Sequence, residues 1–375
     1  MKRIWAVLLV LSLVLAGCSD MMDGSYHHVT GNEKPEDQEE EEIVSVSRYD
    51  ELHSTLVEMI REGKESGIIS MTRYDQSRIT SDTNDAVREV LLRDPIGAYA
   101  VEDIQFELGT NGGQPAIAVT VIYRYSRAQI QKIRRVTNVE QMMKAVAGAI
   151  DKCEAGIVLY VDQFADVDFD LWVSSYGAQN PDKVMELPNV AASVYPEEGR
   201  SRVVELKFHY QNGRDVLKAM QSHVAYLFSR AVEQLGEEMM PQERFASLYS
   251  VLRDPERELE QETSITPAYS LLVHGVGDSR TVAQVFEALC KKAELDCVTV
   301  TGTKAGAPWY WNIVCLDGVY HHVDVLAGPA EAPQFLGDQD MSGYVWDYSA
   351  YPVCQTLPEP PLETEPVEPT GQAEE

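Results

Sequence analysis

A serine, a histidine and an aspartate lie within one stretch of the sequence where they could carry out acyl chemistry. Ser279 follows Asp278 at the predicted start of a helix, and His322 lies two residues before Asp324 on a predicted strand. Because side chains alternate along a strand, His322 and Asp324 would project from the same face. A serine with an imidazole base and an orienting carboxylate can attack an amide or peptide carbonyl. One hypothesis is therefore a residual serine hydrolase or acyltransferase that uses Ser279, His322 and Asp324.

A hairpin is the element that would bring the two ends of this stretch together. Asp317-Gly318 is typical of a two-residue hairpin turn, since both residue types tolerate the left-handed backbone that such a turn needs. The strands that carry Asn312 and Asp324 are therefore predicted to be neighbours.

Residues 265–328 as a whole resemble the transglutaminase-like superfamily, whose members hold a Cys-His-Asp triad in a papain-like α+β core. The resemblance implies a helix, a nucleophile turn, a second helix behind that turn, a strand, and the two strands of the hairpin. The segments that carry it are 267–272 (PAYSLL), 275–279 (GVGDS), 282–293 (VAQVFEALCKKA), 298–302 (VTVTG), 309–312 (WYWN) and 316–325 (LDGVYHHVDV).

The triad positions implied by this resemblance are occupied by Ser279, Trp309 and Asp324. Ser279 stands where the family has its cysteine, and a serine hydroxyl stays protonated near neutral pH unless a strong base lies beside it. Trp309 stands where the family has its histidine, and an indole has no basic nitrogen. The resemblance also identifies His322 as a usual motif residue and not as the catalytic histidine. We therefore predict that the triad is inactive.

Three roles follow for such a domain. The favoured one is a binding or scaffold module for a peptide, a wall polymer or a protein partner, with Ser279 serving also as a helix-capping residue. The serine enzyme described above is the alternative. A purely structural cap is the third, expected if Trp309 is fully buried and no groove opens beside Ser279. The residues predicted to line the groove are Tyr310, Trp311, Asn312 and His322.

The amino terminus indicates export and lipid attachment. An apolar run at residues 4–16 follows two basic residues and is too short to cross a bilayer about 30 Å thick, which is typical of a signal peptide. The residues Leu15-Ala16-Gly17-Cys18 resemble the lipobox of bacterial lipoproteins, which implies cleavage after residue 17 and a lipid anchor on Cys18. Residues 18–43 then predict an acidic tether, and residues 355–375 a disordered tail rich in Pro and Glu. We expect an extracytoplasmic protein anchored to the cell membrane.

Two related units are predicted before the transglutaminase-like domain. Residues 44–135 and 136–221 each open with a helical pattern and a Gly-Ile-hydrophobic strand, and each closes with an alternating strand and a helix. The leading helix and the transglutaminase-like domain would occupy residues 222–354. The predicted fold class is α+β, with two α+β repeats followed by a papain-like α+β domain.

Composition excludes some partners. The 375 residues include 60 acidic and 31 basic ones, and the net charge of −29 would repel nucleic acid. The sequence has no Gly-rich nucleotide loop and no His or acid cluster with metal spacing, so no cofactor or metal is expected. Five cysteines follow Cys18 without a CxxC pair, which leaves a bond between Cys290 and Cys297 open.

Overall fold

A computed structural model of the chain describes residues 43–253 and 260–357, and within these ranges the strands form three separate four-stranded sheets. Helices pack beside each sheet, so the chain has the predicted α+β fold. The signal peptide, the lipobox with Cys18, the acidic tether and residues 358–375 lie outside the described residues. In the described ranges, no helix combines the length and hydrophobicity that crossing a membrane requires.

The first sheet is built from residues 44–123 and has the strand order β1-β2-β4-β3. Strands β1 and β2 are parallel, while β2–β4 and β3–β4 are antiparallel. Helices α1 and α2 bury apolar faces against it, including Leu56, Ile60 and Val90. The elements are β1 (Val44–Ser45), α1 (Tyr49–Glu62), β2 (Ser66–Ser70), α2 (Ile79–Arg93), α3 (Pro95–Ala100), β3 (Val101–Asn111) and β4 (Gln114–Tyr123).

The second sheet repeats this arrangement, with the strand order β5-β6-β8-β7. Its first two strands are again parallel and its other pairings antiparallel. This shared order is what a duplication would leave, and the duplication itself stays a prediction. The elements are α4 (Arg127–Ile130), β5 (Arg134–Asn138), α5 (Val139–Asp151), β6 (Gly156–Gln163), α6 (Phe169–Gln179), β7 (Asn189–Tyr195) and β8 (Arg202–His209).

The two sheets are joined by an apolar contact. Helix α3 of the first unit packs against β7 and β8 of the second. Tyr99 and Ala100 are buried there with Tyr160 and Val203, and the Tyr99 ring stacks on Tyr125 with centroids 4.5 Å apart. The first two units therefore share buried surface.

Two helices, α7 (Arg214–Glu233) and α8 (Pro241–Leu252), lead into the last domain. Helix α7 runs without a break through the predicted boundary between residues 221 and 222, because its buried face continues from Leu217 to Val224 and Phe228. The helix therefore crosses the predicted boundary, and the division into domains stays a prediction. Helix α8 begins at Pro241, where proline suits the first helical position.

The third sheet has the strand order β11-β10-β9-β12, and all its pairings are antiparallel. The predicted hairpin is confirmed: Asp317 and Gly318 both have positive φ and join β10 to β11, which ends one residue before Asp324. Helix α10 packs on β9 and β10. The elements are α9 (Pro267–Tyr269), a π-helical turn (Ser270–His274), α10 (Ser279–Lys292), β9 (Cys297–Lys304), β10 (Ala307–Leu316), β11 (Val319–Val323) and β12 (Tyr344–Trp346).

The core of the last domain lies between α10, α7, α8 and the sheet. Val285, Phe286 and Leu289 on α10 are fully buried, and they belong to the same cluster as Phe228 and Phe245. All five cysteines in the described ranges are free, so no bond joins Cys290 to Cys297. Burial raises the pKa of the Cys297 thiol well above its usual range. Cys153, Cys290 and Cys354 are buried and fill core space.

Candidate functional site

Ser279 is the first residue of α10, but it does not cap the helix. The cap is Asp278, whose side chain accepts a hydrogen bond from the Thr281 backbone N–H at 2.8 Å. The Ser279 hydroxyl oxygen accepts instead from the backbone N–H of Tyr310 on β10, at 3.3 Å. Ser279 is therefore held between the helix and the sheet and is only 8% exposed.

Trp309 and Asp324 form a direct side-chain contact. The indole Nε1–H of Trp309 donates to Asp324 Oδ2 at 2.7 Å. An imidazole at this position could make the same bond to the carboxylate. An imidazole keeps a second nitrogen that can move a proton, whereas the indole has only the donor that is already used.

Asp324 is almost fully engaged by its neighbours. Besides Trp309, the Tyr344 hydroxyl donates to Oδ2 at 2.6 Å, and the Ala327 backbone N–H donates to Oδ1 at 2.8 Å. The Lys304 ammonium lies 3.6 Å from the same carboxylate. Lys304 also lies 5.1 Å from the Trp309 ring centre and 4.7 Å from that of Tyr344, in cation–π contact with both.

No hydrogen bond joins Ser279 to Trp309 or Asp324 in the part of the chain that the structure describes. Side chains alternate along β10, so Tyr310 and Asn312 face α10. The Arg280 guanidinium lies over the Tyr310 ring at 4.7 Å, and Asn312 Nδ2 donates to the Ala283 carbonyl at 2.9 Å. The structure therefore joins Trp309 to Asp324 by a hydrogen bond, whereas Ser279 is bonded to the backbone of Tyr310.

His322 is fully buried, and both of its ring nitrogens are engaged. Nδ1 lies 3.0 Å from the Trp311 indole nitrogen, which can only donate, so Nδ1 accepts. Nε2 therefore carries the proton and donates to Asp338 Oδ1 at 3.0 Å. Burial lowers the pKa of His322, although the Asp338 carboxylate opposes this effect. Both nitrogens of His322 are therefore bonded to residues other than Ser279, and the alternative in which His322 is the base for Ser279 stays an untested prediction without support from this geometry.

The same contacts correct the predicted groove. Trp311, Asn312 and His322 are completely buried and line no open surface. Trp311 packs edge-on against Trp346, with ring centres 5.6 Å apart, which draws it into the core. Of the four residues predicted for the groove, only Tyr310 lines a cavity.

A cavity of about 510 Å³ does open beside Ser279. Its two walls come from different domains, since α6 and the segment after it face the start of α10. Trp309 is only partly buried, so neither condition for a purely structural cap is met. The second unit contributes Ser174, Gly177, Ala178, Pro181, Val184 and Leu187, and the last domain contributes Thr263, Ser264, Pro267, Ala268, Asp278, Ser279, Arg280, Thr281, Gln284, Val285, Pro308 and Tyr310.

The contribution of the second unit to this cavity was not predicted from the sequence. Gly177 and Leu187 come from a region without a chemical motif, and only the packing of α6 against α10 places them here.

Three side chains of types that can bind a metal lie close together. Potential ligand atoms of His322, Asp338 and Cys354 lie within 4.8 Å of one another. To bind a metal beside Asp338, His322 would have to offer an unprotonated Nε2. The Trp311 indole donates to the other nitrogen, Nδ1, and this leaves the proton on Nε2. Burial and Asp338 raise the pKa of the Cys354 thiol to about 12. The donor set therefore fits a hydrogen-bonded core cluster better than a metal site.

Comparison with known proteins gives distant likenesses only. No protein-family model matches the chain, and no curated protein matches it. Among solved structures, a TGase is 10% identical with a TM-score of 0.23, covering 59% of this chain and 63% of that one. A "putative cysteine protease" from Cytophaga hutchinsonii is 13% identical with a TM-score of 0.23, covering 37% of this chain and 62% of that one. The chain thus spans less than two thirds of the length of either structure.

Proposed function

We propose that this protein is a non-catalytic, transglutaminase-like binding module displayed on a lipid-anchored chain. The observation that carries the proposal is the Trp309–Asp324 hydrogen bond, in which an indole N–H occupies the carboxylate that would orient a catalytic imidazole. An acyl transfer needs a group that takes the nucleophile's proton, and indole cannot do so.

The surroundings of Ser279 support the same proposal. Its oxygen accepts a backbone N–H from Tyr310, and no histidine is hydrogen-bonded to it within the described ranges. The nearby imidazole of the motif, His322, is held in the core by Trp311 and Asp338. A serine without a base is a poor nucleophile near neutral pH.

The cavity between α6 and α10 is the proposed binding site. Its volume of about 510 Å³ lies within the range of about 300–1,000 Å³ that small-ligand sites occupy. A peptide, a wall polymer or an extended segment of a protein partner would lie between the two walls, next to Ser279. Acylation at Cys18 would hold this site outside the cell at the membrane surface, with residues 18–43 as a spacer.

A turnover assay on the purified full-length chain tests the proposal. The chain is incubated with a glutamine-containing peptide plus a primary amine, and separately with a cell-wall peptide. Ammonia release, crosslinking and cleavage are measured. We expect wild type and Ser279→Ala to give the same background. Turnover by wild type that Ser279→Ala abolishes would establish the serine-enzyme alternative and overturn the proposal.

A further inference from the structure

We infer that the cavity between α6 and α10 binds the free carboxylate of a peptide whose terminal side chain is apolar, with Arg280 as the carboxylate anchor. This inference rests on the proposed function, because it names the ligand class for the same cavity.

Arg280 is positioned as an anchor and has unused donors. Its guanidinium stacks on the Tyr310 ring at 4.7 Å and donates one hydrogen bond to the Tyr310 hydroxyl. No ion pair joins it to a carboxylate within residues 43–253 and 260–357, and its side chain is exposed at the cavity. A guanidinium offers five donors in a planar fork that matches a carboxylate.

Among the described lining residues, none forms an ion pair with Arg280. The other charged residue among the described lining residues is Asp278, two residues before it. One oxygen of Asp278 accepts from the Thr281 backbone N–H, and the other accepts from the Thr263 hydroxyl at 3.0 Å. Both Asp278 oxygens therefore already accept hydrogen bonds, and the Arg280 guanidinium is left without a carboxylate partner among the described residues. A ligand with a carboxylate could supply that partner.

The opposite wall of the cavity is apolar and would suit an apolar ligand group next to the carboxylate. Ala178, Val184 and Leu187 come from the second unit, and Leu187 is 48% exposed although it is a large apolar side chain. Pro267 and Pro308 continue the apolar lining on the other side. A ligand that joins a carboxylate to an apolar side chain would fill both halves, and a peptide carboxyl terminus has this chemistry.

The cavity also explains why the carboxylate is not expected to react. Ser279 lines the same space, but its oxygen is held by the Tyr310 backbone. Tyr310 thus fixes Arg280 through its ring and Ser279 through its N–H. A bound peptide end would be retained without covalent change.

A binding experiment with two matched peptides tests the inference. The probes are acetyl-Gly-Gly-Leu with a free carboxylate and the same peptide as its carboxamide, titrated calorimetrically into the full-length chain. We expect the acid to bind about tenfold to a hundredfold more tightly than the amide, which is the usual contribution of a hydrogen bond to a charged group. Arg280→Gln should reduce acid binding to the level of the amide and leave amide binding unchanged.

Two further variants test the place of binding. Ala178→Trp fills the cavity and should abolish binding of both peptides, whereas Ser175→Trp, at an exposed position of the same helix outside the cavity, should leave binding unchanged. The inference is overturned if the acid shows no saturable binding, if acid and amide bind equally, or if Arg280→Gln has no effect.

A third arm separates an external peptide from the chain's own acidic tail. If the acid binds only after truncation behind Leu357, the occupant is residues 358–375 and the inference is overturned. The outcomes also separate the two proposals. Equal binding of both peptides without turnover would reject the carboxylate anchor alone, while turnover lost in Ser279→Ala would reject the non-catalytic function.

Discussion

Trp309 Nε1 lies 2.7 Å from Asp324 Oδ2, so an indole N–H donates a hydrogen bond to a carboxylate that follows the β10–β11 hairpin. The indole supplies a hydrogen-bond donor to this carboxylate but has no nitrogen that can accept a proton. Tyr344 and Ala327 add two more hydrogen bonds to the same carboxylate. The Asp324 carboxylate therefore accepts three hydrogen bonds. These bonds stabilise the fold, and none of them transfers a proton to or from a nucleophile.

Replacing Trp309 with Phe should lower the stability of the last domain. Asp324 would lose one of its charge-assisted hydrogen bonds while staying buried, which costs about 1.5–3 kcal/mol. Urea unfolding followed by tyrosine and tryptophan fluorescence measures the change. Trp172→Phe is the control, since the Trp172 ring stacks on Tyr176 and the variant loses comparable ring area. Equal destabilisation by both variants would contradict a stabilising role for the Trp309 N–H.

Introducing a cysteine and a histidine at the two positions where the sequence resemblance implies them tests whether the site can activate a nucleophile. The double variant Ser279→Cys, Trp309→His would place a thiol at the start of α10 and an imidazole beside Asp324. A helix amino terminus and a nearby imidazole both favour a thiolate. We expect alkylation by iodoacetamide about tenfold faster than for Ser279→Cys alone, since thiolate content sets the rate.

The native chain, which has five free cysteines within the described ranges, is the background for this measurement. Equal rates for the double variant and for Ser279→Cys alone would show that the imidazole does not reach the thiol. That outcome would mean that positions 279 and 309 are not placed closely enough for an imidazole to activate a thiol.

Local chemistry made the hairpin and the Trp309–Asp324 neighbourhood predictable from the sequence. Asp317 and Gly318 tolerate positive φ, and this fixes the register that pairs Asn312 with Val323. Asp324 follows directly, so the pattern alone places it near β10. The same reasoning extended to fold class, because alternating and helical periods are visible along the whole chain.

The groove could not be predicted, because its burial is decided by distant residues. Trp311 and His322 are drawn inward by Trp346 and Asp338, which lie in a segment without a regular period. The second wall of the cavity depends on where α6 packs. The sequence around Leu187 does not indicate that this residue lines the cavity. Contacts of this kind follow from tertiary packing and not from a local pattern.

Removing the buried imidazole should change the pH dependence of stability. Burial lowers the pKa of native His322 below its usual 6.5, so the unfolded chain binds more protons at and below that pH. Stability is therefore present above pH 6.5 and is lost as the pH falls towards the native pKa. His322→Asn should cost about 1–3 kcal/mol near neutral pH through lost hydrogen bonds, but its stability should fall less steeply below pH 6.5.

Unfolding free energies at several pH values between about 5 and 8 check this prediction. The groups facing His322 are Trp311, Trp346, Asp338 and Cys354, and none of them is changed in the variant. His209→Asn, at an exposed position, should keep the wild-type slope. A parallel pair of curves for wild type and His322→Asn would refute the assignment.

A glycine on β9 sets how closely the sheet packs around Trp311. A Cβ added at Gly302 would meet the Val345 carbonyl oxygen of β12 and would lie 2.8 Å from Trp311 Cη2. Neither the paired strand nor the buried ring can give way freely, so Gly302→Ala should destabilise the chain by about 1–3 kcal/mol. Gly109→Ala on β3 is the control, because nothing lies within 4 Å of its added Cβ. That control should change stability by less than about 1 kcal/mol. If thermal unfolding shows the two variants to be alike, then β12 does not pack against β9 closely enough to hold Trp311, and the inward position of the Trp311–His322 pair would need another cause.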